Sequence, residues 1–222
     1  MNLIEQIKSM FTAHRNEEQA VPMAKYMQNN FSFLGIKNPA RKILMREFYK
    51  ESGILREAFQ EDFVLALWEQ IEREYQYAAL DYIGRSLKKI NKNHLPLMEK
   101  LIITKSWWDT VDMLAQHPVG TIAHKYPEVI PETITGWAYG INIWLQRSAI
   151  LFQLKYKKMT NEQLLYMFIK QNSRSKEFFI QKAIGWALRE YSKTNPQSVK
   201  QFIANNELPK LSVREGSKYI RT

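Results

Sequence analysis

Apolar residues recur three and four positions apart along almost the whole chain, as in Phe63, Leu65, Ala66, Leu67 and Ile71. That spacing gathers them on one face of a helix, whereas a half-buried strand would alternate apolar and polar positions. Neither a clear alternation nor an Asn-Gly hairpin signal occurs, so the pattern predicts an all-α fold. Prolines at Pro22, Pro39, Pro96, Pro118, Pro127, Pro131, Pro196 and Pro209 should begin or break helices. Asn38-Pro39 reads as an N-cap followed by proline at the first helical position. Many short helices are expected.

Aligning the second helix of each expected pair brings out a weak internal repeat: Tyr75–Ala79, Trp108–Asp112, Leu145–Ala149, Ile180–Ile184 and Val213–Ser217. Successive offsets are 33, 37, 35 and 33 residues. Two helices per unit at a near-constant interval, with no strand, mark a solenoid of the HEAT class. The prediction is therefore one curved α-α superhelical domain over residues 1–222. Asp112 stands in a column otherwise held by Ala79, Ala149, Ile184 and Ser217, where a small or apolar side chain packs between helices. A carboxylate there breaks the pattern of its own repeat, which makes Asp112 a candidate for function. Arg147 one repeat later, and Lys182 in the same column of the repeat after that, place cations near it.

Within Thr104-Lys105-Ser106-Trp107-Trp108-Asp109-Thr110-Val111-Asp112, the four-residue spacing puts Trp108 and Asp112 on one helical face. An aromatic face beside a carboxylate suits a cationic ligand or transition state. The competing reading makes Trp107 and Trp108 core residues and leaves Asp112 solvated. Trp144 and Arg147 are three apart, and Trp186 and Arg189 repeat the arrangement, so each helix can set an aromatic beside a guanidinium. Core packing is the alternative for both tryptophans.

Composition narrows the partner. With 222 residues, 45% hydrophobic, the chain can build a sizeable core, and its net charge of +10 points to a polyanion. Nucleic acid comes first, an acidic membrane surface or acidic protein second. Lys155-Tyr156-Lys157-Lys158 interleaves charge with an aromatic at a helix end and suits phosphate contact. Arg41 and Lys42, opening a helix, and the stripe Arg85, Lys88, Lys89 and Lys92 could track a nucleic-acid backbone.

Other chemistries lack support. The absence of cysteine excludes disulfides, thiolate nucleophiles and cysteine-ligated zinc. His117 and His124, seven apart across Pro118 and Gly120, do not present two ligands on one helical face, and no metal site is expected. There is no phosphate-cradling glycine loop, serine elbow or His-Glu-x-x-His motif. The start Met1-Asn2-Leu3-Ile4-Glu5-Gln6 does not read as a signal peptide and no stretch approaches membrane-span length, so a soluble, cytoplasmic protein is expected.

Four segments together resemble the DNA alkylation repair family of HEAT-like-repeat DNA glycosylases, the AlkD family, over nearly the whole chain. They are Tyr26-Met27 with Phe33-Leu34-Gly35-Ile36, Pro39 and Arg41; Thr104 to Asp112; Asn142-Ile143-Trp144-Leu145-Gln146-Arg147; and Ser175 to Trp186. The resemblance implies excision of N3- and N7-alkylated purines from duplex DNA, without a cofactor. It implies Asp112 as catalytic carboxylate, Trp108 and Trp186 as aromatic walls, and Arg147 as active-site arginine. Beside them, Arg189, Lys155, Lys157, Arg41, Lys182 and Tyr26 are the expected DNA contacts. The turn before Arg41 reads Lys37-Asn38-Pro39 where a Gln-Thr-Pro-like sequence is expected, so the DNA contact there should differ in detail.

A purine alkylated at N3 or N7 is already cationic and leaves without protonation, so the useful catalyst is a fixed anion beside the developing oxocarbenium ion. No lysine stands out as a Schiff-base nucleophile, so a monofunctional enzyme, acting as a monomer, is expected. The rival from another class is a non-catalytic HEAT scaffold binding DNA or an acidic protein. An RNA-binding repeat would need a regular residue code, which Gln76, Asp109, Gln146, Gln181 and Arg214 do not make.

Overall fold

Asparagines set many of the helix starts. Asn2, Asn16, Asn142, Asn161 and Asn195 each accept, through the side-chain oxygen, a backbone N–H from the first turn that follows. Those N–H groups have no partner inside the helix, and each such cap contributes about 1 kcal/mol. The computed structural model describes residues 2–220, and every regular element among them is helical, as the spacing of apolar residues requires. The chain divides into two compact units, Met1–Ile90 and Asn91–Thr222.

The first unit holds α1 (Leu3–Ala13), α2 (Glu17–Tyr26), α3 (Asn38–Ser52), α4 (Glu61–Glu69) and α5 (Arg73–Arg85). Its core includes packed aromatic rings: Phe48 stacks on Phe63 at 5.6 Å, Phe63 meets Tyr82 edge-on at 5.2 Å, and Phe11 stacks on Tyr75 at 5.4 Å. The loop between α2 and α3 is tied down by the fully buried Glu74, whose carboxylate accepts the backbone N–H groups of Leu34, Gly35 and Ile36 at 3.0, 2.8 and 3.0 Å. Gly35 has φ +87°, and a Cβ there would meet the Asn16 carbonyl oxygen at 1.9 Å, so only glycine closes this turn. Helix α3 begins one residue earlier than expected. Lys37 occupies the cap position, and the Asn38 side chain accepts from Arg41 instead of capping.

In the second unit, α6 (Leu95–Ile103) leads to a continuous helical run made of α7 (Trp108–Leu114), a wide π turn at Ala115–Val119 and α8 (Gly120–Lys125). Pro118 lies inside that run, where it was expected to break it; the π turn absorbs the missing N–H. Pro22 likewise lies inside α2. The remaining α-helices are α9 (Thr135–Tyr139), α10 (Ile143–Leu151), α11 (Glu162–Asn172), α12 (Phe178–Ser192), α13 (Pro196–Ala204) and α14 (Lys210–Gly216). Helices α7, α10, α12 and α14 are the second helices of the sequence repeat, and each packs on the next in that order. Ile150, Leu151, Leu165, Ile169, Ile180, Ala183, Ile184 and Leu188 fill one apolar core between these layers. Neighbouring second helices can therefore join residues about one repeat apart, which is what the site uses.

Candidate active site

The segment preceding α7 breaks from helix at Thr104 and Ser106, whose hydroxyls turn back to the carbonyls of Lys100 and Ile102, both at 2.6 Å. Lys105 between them has φ +48°. Trp107 is extended, and the helix restarts at Trp108, so Asp112 falls one turn on along the Trp108 face. Trp108 and Asp112 therefore share one face of α7, as their spacing predicts, with Trp108 half-buried.

Asp112 is buried and ion-paired. Arg147 of α10 donates from Nε to Oδ1 at 2.7 Å and from Nη2 to Oδ2 at 2.8 Å, a parallel fork that fits an ionised carboxylate. Its remaining arm, Nη1, donates to the backbone carbonyl of Phe179, at the start of α12. Three adjacent second helices thus meet at one guanidinium. Burial is the largest influence on the Asp112 carboxyl and lifts it above the ordinary aspartate value; the hydrogen bonds and charge of Arg147 pull the other way, and Asp109 adds to the rise. Arg147 opposes the desolvation and fixes the orientation of both carboxylate oxygens.

The aromatic residues divide into two sets. Trp107 and Trp144 lie 5.8 Å apart, and each lies 5.0 Å from Phe179 in a packed trio beside the guanidinium, whose carbon is 6.0 Å from the Phe179 ring. All three are half-buried, so they form a packed aromatic cluster beside the ion pair and lie outside the fully buried core, although the Trp107 indole N–H itself is buried without a hydrogen-bond partner. Trp108 and Trp186 are half-buried, and Trp186 packs against the apolar core while lying two turns beyond Phe179 on the same side of α12. Phe179 was missed as a site residue. Nothing in its type signals the role, because its contribution to the pair is a backbone carbonyl.

The expected DNA contacts are dispersed. Lys182 and Arg189 flank Trp186 on α12 and both pair with Glu215 of α14, at 3.3 and 3.4 Å. Lys155 and Lys157 are exposed in the turn after α10, with Lys157 at φ +54°. Arg41, in the first unit, is buried; it pairs with Asp81 at 3.3 Å, donates to Asn38 and stacks 4.7 Å from the centre of the Tyr77 ring. Tyr26 is exposed at the end of α2. The basic stripe does not form on one helix: α5 ends at Arg85, Lys89 donates to the backbone carbonyls of Leu55 and Glu57, and Lys92 pairs with Glu128 at 2.9 Å.

A family of DNA alkylation repair enzymes matches residues 7–220 of the sequence. The chain belongs to the DNA alkylation repair enzyme family. A solved structure from Enterococcus faecalis, described as a predicted DNA alkylation repair enzyme, is similar at 35% identity and a TM-score of 0.84, covering 94% of this chain and 97% of that one. The structure of smu.31 from Streptococcus mutans UA159 shares the fold, at a TM-score of 0.59 and 19% identity over 82% of this chain and 98% of that one. No match is found among curated proteins. In this DNA alkylation repair enzyme no helix among the described residues is long and apolar enough to cross a membrane, and no group of three or more His, Cys, Asp or Glu residues among them could hold a metal ion.

Proposed function

We propose that this DNA alkylation repair enzyme is a monofunctional DNA glycosylase that hydrolyses the N-glycosidic bond of cationic N3- and N7-alkylated purines, such as 3-methyladenine and 7-methylguanine, in duplex DNA. The observation that carries the reading is the buried, forked Asp112–Arg147 pair one turn from Trp108. Holding a carboxylate out of water is unfavourable for folding, and a site that does so gains electrostatic strength where a cation develops.

The lesion's own positive charge makes the base a good leaving group. As the bond from C1′ to the purine nitrogen lengthens, its electron pair goes to the departing base, which leaves neutral, and the sugar acquires oxocarbenium character. Asp112 stabilises that charge and orients a water, whose oxygen bonds to C1′ and whose proton passes to solvent. Trp108 and Trp186 offer electron-rich ring faces to the sugar cation. Arg147, with its nitrogens committed to Asp112 and Phe179, aims the carboxylate. Asp112, Arg147, Trp108 and Trp186 all lie in the second unit, and the reading extends to a protein that acts as a monomer on DNA in the cytoplasm.

The test is incubation of the protein with a duplex carrying one 7-methylguanine, followed by alkaline strand cleavage, with a uracil duplex in parallel. Cleavage at methylguanine and not at uracil is expected. Efficient uracil release would mean a general acid operates, which this mechanism does not contain. Duplex binding with no release of either base would favour a non-catalytic scaffold.

A further inference from the structure

Glu215 is a buried carboxylate that the chemistry above leaves unused. It stands on α14 against the middle of α12, so close that a Cβ at Gly185 would lie 2.6 Å from its own Cβ. Four cations converge on it: Lys218 at 2.7 Å, Lys182 at 3.3 Å, Arg189 at 3.4 Å and Arg214 at 4.0 Å. The hydrogen bond from Lys218 leads the influences that hold its carboxyl below the ordinary glutamate value. Lys182 and Arg189 lie four residues before and three after Trp186, on the same face of α12. The Glu215 side chain is 9% exposed against 38% for Lys182 and 28% for Arg189, so the anion lies beneath while the cations reach solvent.

We infer that Glu215 is a positioning residue for nucleic-acid binding, its carboxylate fixing Lys182 and Arg189 on either side of Trp186 as a seat for backbone phosphate. The inference rests on the DNA reading proposed above. Cations outnumber the anion in this cluster, so a positive face remains after pairing. A purely structural staple is redundant here, because α14 already meets α12 through Gly185 and Gly216, and the Ser212 hydroxyl donates to the Gln181 carbonyl at 2.8 Å. Lysine and arginine lose more side-chain freedom on ordering than most residues, so holding them in place beforehand favours binding.

The sign of one substitution separates this role from simple counter-charge. Removing a negative charge from a basic face should tighten DNA binding if charge alone matters. If position matters more, Glu215→Gln binds an undamaged duplex more weakly, by roughly three- to tenfold near 0.1 M salt, despite its extra positive charge. Glu215→Asp keeps the anion and recovers most of the loss, and in a Lys182→Gln/Arg189→Gln background Glu215→Gln no longer weakens binding. Folded Glu215→Gln protein binding as tightly as the unsubstituted protein, or tighter, overturns the inference, as does failure of Glu215→Asp to recover. Should Glu215→Gln not fold, undiminished duplex binding by Lys182→Gln/Arg189→Gln overturns it independently. Binding is read on undamaged DNA, so an unsubstituted protein that binds but excises nothing removes the glycosylase reading and leaves this test standing.

Discussion

Asp112 and Arg147, 35 residues apart in sequence, share two parallel hydrogen bonds between adjacent second helices. Removing one partner strands the other in a low-dielectric site, which typically destabilises a protein by about 3–5 kcal/mol. Arg147→Met is therefore expected to lower the melting temperature, by roughly 2–4 °C per kcal/mol for a chain of this size. Arg147→Lys keeps the charge but loses the fork and should fall between. Asp112→Asn combined with Arg147→Met should cost less than the sum of the two single losses, because the pair acts as a unit. Additive losses would show that the pair is not coupled.

Asp112→Asn retains shape and removes charge. Excision of 7-methylguanine under single-turnover conditions should fall by roughly 100- to 1,000-fold, the range for loss of one electrostatic stabiliser. Duplex binding should persist. An unchanged rate would remove Asp112 from the mechanism.

The same carboxylate sets the acid limb of the rate profile. Burial raises it above the ordinary value of 3.8, so the active anion is lost at a higher pH than for a solvated aspartate. Excision should decline, as pH falls, through a midpoint above 3.8. Residual activity of Asp112→Asn should lack that limb. A limb that persists in the substituted protein would belong to another group.

Much of this arrangement was legible in the chain. The placement of Asp112 in a column of Ala79, Ala149, Ile184 and Ser217 identified it, because a repeat makes a misplaced charge visible against its own neighbours. Spacing also gave Arg147 a place near that column, since consecutive second helices pack side by side. What pattern could not supply was the partner of each cation. Lys182 and Arg189 look identical in sequence whether they face solvent or Glu215, and Arg41 looks like a surface residue until Asp81 and Tyr77 enclose it. Phe179 contributes through its backbone, which no side-chain pattern encodes. At Pro22 and Pro118 the helical run continues through the proline, so the residue type alone did not locate a helix boundary.

Gly185 carries a packing prediction independent of catalysis. A methyl group there would meet Glu215 Cβ at 2.6 Å and the Ser212 carbonyl oxygen at 3.1 Å, atoms close to the backbone with no room to swing away. Forcing α12 and α14 apart should make Gly185→Ala less stable by about 1–3 kcal/mol, although alanine favours helix over glycine by up to ~1 kcal/mol. Thermal melting measures the net effect. A stabilised variant would show that the two helices can separate at no cost.

Lys155 and Lys157 offer the most direct measure of phosphate binding. Tyr156 between them turns inward and donates its hydroxyl to the Gly120 carbonyl, which anchors the turn and leaves the lysines on either side exposed. Neither is held by a carboxylate among the described residues. The left-handed backbone at Lys157, φ +54°, is unfavourable by about 1–2 kcal/mol for a residue with a side chain, so the turn holds that residue in a conformation it would not choose. Neutralising one phosphate-bound cation should reduce the slope of log affinity against log salt by about 0.9. Lys155→Gln/Lys157→Gln should therefore flatten the slope by roughly 2 if both lysines reach phosphate, weakening damaged and undamaged duplexes alike. An unchanged slope would place the DNA path away from this turn and leave the α12 face around Trp186 as the principal basic surface for the duplex.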